Sequence, residues 1–155
     1  MPAAESASGQ SSVPSVQGLS VVVFSGAYDR VHYALAMAAA AVSINRPATL
    51  FFTMGGARAL LAPDTAGPGW YHLYPTEDGR TPREADFALT ERGLGAFDEL
   101  LGACVALGAD VMVCEMGLRA LGLELADLRS DVPVKPGGLV TFLTEAPRGT
   151  AVVFV

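Results

Sequence analysis

An α/β domain with a mostly parallel sheet covered on both faces is predicted by three observations. Short runs rich in β-branched residues are apolar along their whole length, as strands buried on both faces must be. Longer segments with helical spacing alternate with them. Glycines and small polar residues mark the handovers.

The first run, Leu19-Ser-Val-Val-Val-Phe-Ser25, reads as a buried strand. Gly26 supplies a turn and Asp29 a helix N-cap. The helix continues to Asn45, with Ala34, Met37, Ala38, Ala41 and Val42 on one face, until Arg46-Pro47 stops it. Ala48 to Thr53 is a second strand, ending in the turn Met54-Gly-Gly56, with a short helix over residues 57–61. Residues 63–85 carry Pro63, Pro68, Pro75 and Pro82 with Trp70, Tyr71 and Tyr74. So long a loop is either a lid or binding loop, or a surface excursion whose aromatics cover a core edge or a neighbouring subunit.

A helix is predicted over residues 90–108, with Phe97, Leu100, Leu101, Cys104 and Val105 on its apolar face. A third strand runs from Ala109 to Cys114, and a short helix over residues 115–121 closes at Gly122. A turn covers residues 124–128. Val132-Pro-Val134 is a weak strand, Gly137-Gly138 opens a last helix that stops at Pro147, and Thr150 to Val155 is the terminal strand.

At 155 residues the chain predicts one domain, over 19–155. Residues 1–18, rich in Ser, Ala, Gln and Pro, read as a disordered tail without the basic start and apolar core of a signal peptide. A cytoplasmic protein is the expectation. Hydrophobic residues make up 51% and charged residues 17%, an under-charged balance that points to subunit interfaces. No apolar run is long enough for a membrane span. The net charge of −6, with scattered arginines, lacks the basic footprint of nucleic-acid binding. Two cysteines outside a secretory context do not make a disulfide framework, and two distant histidines do not make a zinc site. The glycine fingerprints of nucleotide binding are missing too, so no cofactor and no metal is expected.

Cys114 is the candidate for chemistry. An apolar run ends on it and a helix begins at once, the place where open α/β sheets collect ligands. A helix N-terminus favours the thiolate, which is the nucleophile. The competing reading is a buried core cysteine, which is how Cys104 is read. Ser25, Gly26 and Asp29 at the end of the first strand, and Thr53, Gly55 and Gly56 at the end of the second, could line one crevice with Cys114. Ordinary turn and cap chemistry explains Asp29 equally well. His32, in the first helix, could face the thiol and activate it. Glu115 beside Cys114 would raise the thiol pKa if both side chains point the same way.

Four segments resemble the DsrE/DsrF-like superfamily, most closely its DsrE2-like branch. Phe24-Ser-Gly-Ala-Tyr-Asp29 resembles the branch's first strand and Ser-Gly-x-x-Asp turn. Leu50-Phe-Phe-Thr-Met-Gly-Gly56 resembles its Phe-Phe-Thr-Phe-x-Gly segment, with Met54 in place of an aromatic. Cys114-Glu-Met116 followed by Leu121-Gly122 resembles its Cys-x-Met-Ser-Met-x-x-Met-Gly signature, with Gly117 where the family has serine. Gly137-Gly-Leu-Val-Thr-Phe-Leu143 resembles the closing Gly-Gly-Val-x-Thr-Tyr-Leu segment.

The resemblance implies a flavodoxin-like three-layer sandwich with about five strands, assembled as a homo-oligomer, a trimer or a hexamer. It implies sulfane-sulfur transfer, with a persulfide on Cys114 received from and passed to partner proteins or small sulfur species. Ser25, Gly26, Asp29, His32, Thr53, Gly55, Gly56, Glu115, Met116 and Gly117 would shape the pocket. The alternative is a non-catalytic, oligomeric ligand-binding or assembly module with an inert Cys114; a peroxidase-like thiol enzyme is a further rival.

Overall fold

A computed structural model describes residues 15–155, so residues 1–14 of the predicted tail lie outside the described residues. Five strands form one sheet: β1 Gly18–Val23, β2 Ala48–Phe52, β3 Asp110–Cys114, β4 Val134–Gly137 and β5 Thr150–Phe154. Their order is β4-β3-β2-β1-β5, and every neighbouring pair is parallel. The helices are α1 Tyr28–Ser43, α2 Pro82–Glu91, α3 Phe97–Ala106, α4 Glu115–Ala120 and α5 Leu139–Glu145. The architecture is flavodoxin-like α/β.

Side chains of a strand alternate between faces, and the two faces are covered unequally. Val21, Val23, Leu50, Phe52, Val111 and Val113 point towards α1 and α3 and form the main core with Val31, Leu35, Leu101 and Cys104. The intervening Val22, Phe51, Met112 and Cys114 point the other way, into a separate small cluster closed by Phe142 of α5. This single short helix covers that side where β2 and β3 run. Towards β5 the same side stays open, with Phe24, Val152 and Phe154 exposed.

Several elements differ from the sequence expectation. The helix predicted over 90–108 is two helices, α2 and α3, separated at Gly93, whose φ is +73°. α2 starts inside the predicted loop because Thr81 and Glu84 form a reciprocal capping box, with Pro82 at the first helical position. The rest of that loop is pinned. Tyr74 N donates to Gly26 O at 2.8 Å, Tyr28 N donates to Tyr74 O at 3.1 Å, and Trp70 stacks on Phe97. The residue preceding α1 is Ala27 rather than Asp29, which lies in the helix's first turn. A 3₁₀ helix spans Met54–Leu60, starting earlier than the helix expected at 57–61. The strand expected at 132–134 forms at Val134–Gly137 instead; as an edge strand it tolerates Pro136.

Candidate functional site

Cys114 is both the last residue of β3 and the N-cap of α4. Its side chain has the parity of Met112, so it points into the α5 layer, where it is 1% exposed and shares a cluster with Phe142. The other thiol, Cys104, lies in the main core and donates to Leu35 O at 3.4 Å. Burial pushes it up to about 11, as suits a packing residue.

Beside Cys114 the start of α4 is pressed against the end of β2. A Cβ on Gly117 would lie 2.6 Å from Met54 N and 2.7 Å from Thr53 Oγ1. Thr53 is itself buried, and Met54 has a φ of +48°. Glycine at 117 therefore follows from this close approach. Glu115 and Met116 are exposed in the first turn of α4.

A second group forms where β1 and β2 end, and there the protein fills its own crevice. A Cβ on Gly26 would meet the Tyr74 ring at 2.8 Å and Gly55 O at 3.0 Å, and one on Gly55 would meet Gly26 N at 2.9 Å. The fit at Gly56 is tighter still, since a Cβ there would lie 2.1 Å from Val23 O. These glycines let backbone approach backbone. Ser25 Oγ accepts from Ala27 N at 3.1 Å, an ordinary turn.

His32 and Asp29 do not join Cys114. His32 Nε2 bonds Gly95 O at 2.8 Å and its ring lies beside Tyr28, a residue of the main core. It therefore sits in the α1 layer, while Cys114 faces the α5 layer, and the sheet lies between them. Nε2 carries the proton there, because a carbonyl can only accept. Asp29 accepts from Glu77 N at 3.0 Å and borders an open depression with Thr76, Asp78 and Arg80.

Two further residues escape sequence reasoning. Arg58 lies over the Tyr74 ring, with its Cζ 5.5 Å from the centroid, and its buried Nε has no acceptor among the described residues. The signal was a lone charge inside the apolar stretch Ala57–Leu61. Phe142, which closes the small cluster, was read only as part of a motif. Among the described residues no trio of His, Cys, Asp or Glu side chains is grouped to hold a metal ion, and no helix is long and apolar enough to cross a membrane.

No protein-family model matches the chain, and no curated protein matches its sequence. The crystal structure of the ychN protein from E. coli is similar, with a TM-score of 0.52 and 17% identity over 89% of this chain and 99% of that one. At that identity the likeness shows the fold. The class it defines is an α/β fold with a five-stranded parallel sheet, flavodoxin-like in architecture.

Proposed function

We propose that the chain is a sulfane-sulfur carrier or sulfurtransferase of the DsrE2-like branch, with Cys114 as the sulfur-bearing residue. The observation that carries this reading is the position of Cys114: in a DsrE/DsrF-like fold it ends β3 and caps α4, at the carboxyl edge of the sheet. The Cys114 thiolate would attack the outer sulfur of a donor persulfide. A new S–S bond forms at Cys114, the donor's S–S bond breaks, and the donor leaves as a thiolate. An acceptor thiolate then takes the terminal sulfur and Cys114 leaves as thiolate, with no net oxidation. The apolar surroundings of Val22, Phe51, Met112 and Phe142 would shelter the persulfide from water. Among the described residues Cys104 is the other thiol, and it lies on the opposite side of the sheet, so the sulfur would pass to a separate acceptor. The exposed Leu139, Val140 and Leu143 of α5, with Val152 and Phe154 of β5, support a homo-oligomer. A cytoplasmic setting fits free thiols.

Intact mass after incubation with thiosulfate or polysulfide tests the proposal. The expected result is a gain of one sulfur atom in the native protein and in Cys104→Ser, absent in Cys114→Ser.

A second reading is favoured by the burial of Cys114 in the small apolar cluster. The domain is then an assembly or ligand-binding module in which Cys114 only packs. No sulfur adduct with either donor is its expected outcome.

A further inference from the structure

Cys114 is buried in the small cluster to which α5, a loosely held helix, contributes Phe142. Phe142 is the buried residue of α5, and its ring stacks on Phe51 with centroids 4.6 Å apart. Leu139, Val140 and Leu143 of the same helix are exposed. Side chains add little more attachment. Thr144 Oγ1 bonds back to Val140 O in its own helix, and Lys135 reaches Glu145 only at 3.8 Å between exposed groups. The helix hangs between glycines: Gly137 and Gly138 before it, and Gly149, at a φ of +74°, after it. Gly138, its N-cap, supplies no side-chain cap.

There is also room for the ring to go. A cavity of about 110 Å³ lies beside Phe142, bounded by Met112, Ser20, Thr49 and Pro147. It lies towards the amino ends of the strands, since Ser20 and Thr49 precede Val22 and Phe51 of the cluster in their strands. Cys114 is at the carboxyl end. A ring that slides into the cavity therefore moves away from the sulfur. Beside Cys114 the paired residue in β4 is Gly137, which adds no side chain to the cover.

We infer that α5 is a displaceable cover over Cys114, opened by movement of the Phe142 ring into the adjoining cavity. Its purpose, admitting sulfur species to the thiol, rests on the carrier reading; the motion does not. Closed, the cover excludes water and large thiols. Open, it exposes Cys114 while the main core, with Cys104, stays shut.

Alkylation of the native protein by iodoacetamide, followed residue by residue by peptide mass mapping, tests this. Cys104 is the internal reference for global unfolding. Cys114 is expected to react about tenfold or more faster than Cys104, because local opening needs less free energy than unfolding. Phe142→Ala is expected to raise the Cys114 rate a further tenfold or so without changing that of Cys104. Phe142→Leu gives the same direction with a smaller effect, should the alanine variant fail to fold. Equal rates for the two cysteines in the native protein, or a Phe142 substitution that leaves their ratio unchanged, would overturn the cover. Fast alkylation without sulfur uptake would retain the cover and remove the carrier; uptake with equal alkylation rates would do the reverse.

Discussion

Gly117 stands so close to Met54 that a Cβ on it would lie 2.6 Å from the Met54 amide nitrogen. These two positions are thus in contact, and they constrain one another. Gly117→Ser is expected to destabilise the protein by about 1–3 kcal/mol, because the obstacle is backbone and Met54 already has a positive φ. A urea midpoint equal to that of the native chain would contradict this.

Tyr28 joins three helices. Its hydroxyl donates to Asp86 Oδ1 at 2.6 Å, and the same oxygen accepts from Phe97 N at 2.7 Å. Tyr28→Phe keeps the ring contacts with Trp70 and Phe97 and removes one charge-assisted bond. A loss of about 1.5–3 kcal/mol is expected. Asp86→Ala should cost more than Tyr28→Phe, since it orphans two donors. Chemical denaturation of both variants gives the order; the reverse order would refute the shared-acceptor account.

Alkali should weaken the fold through two groups. Burial pushes the Cys104 thiol up from 9.0 to about 11. Burial first, and then the bond to Asp86, push Tyr28 above its usual 10.0. In both cases the fold holds the neutral form, and the unfolded chain gives up its proton earlier. The Cys104 contribution is therefore whole below about pH 9 and is lost as pH rises through about 11, while that of Tyr28 is whole below about pH 10 and is lost only at higher pH still. The denaturation midpoint should be level near pH 8 and fall above pH 9, with a shallower early decline in Cys104→Ala. A midpoint that rises over that interval would show the sign to be wrong.

Asp98 is a junction for the pinned loop. It accepts from Trp70 Nε1 at 3.0 Å and from Arg129 Nη1 at 2.8 Å, and Arg129 also grips Asp131 with two bonds of 2.7 Å. Asp98→Ala leaves the buried indole N–H without an acceptor, at a cost of about 1–3 kcal/mol. Trp70 is the chain's single tryptophan, so its fluorescence reports the change directly. Asp98→Asn should restore most of the loss. Native stability and emission in Asp98→Ala would remove the junction from the account.

The strands that are apolar throughout were legible in the sequence because burial on both faces leaves no alternative composition. β4 was misplaced because it lies at an edge, where Lys135 and Pro136 are tolerated. The split between α2 and α3 was missed because apolar spacing does not register a break at Gly93; the Thr81–Glu84 capping box was the available signal. At the candidate site, the place of Cys114 at a strand end was readable from the run before it. Its cover was not. Alternation pairs Cys114 with Met112, but which helix closes that face depends on the crossing from β4 to β5, past three intervening strands. His32 has the same difficulty: its partner, Gly95 O, belongs to a turn between two helices that were read as one.

β1 lies between β2 and β5. Of its two lateral partners, one is supplied early in synthesis and the other only with residues 150–154. While the chain is still emerging from the ribosome, one flank of β1 stays unzipped, with its peptide groups turned to solvent or to other nascent chains. Removal of residues 150–154 would leave that flank permanently raw.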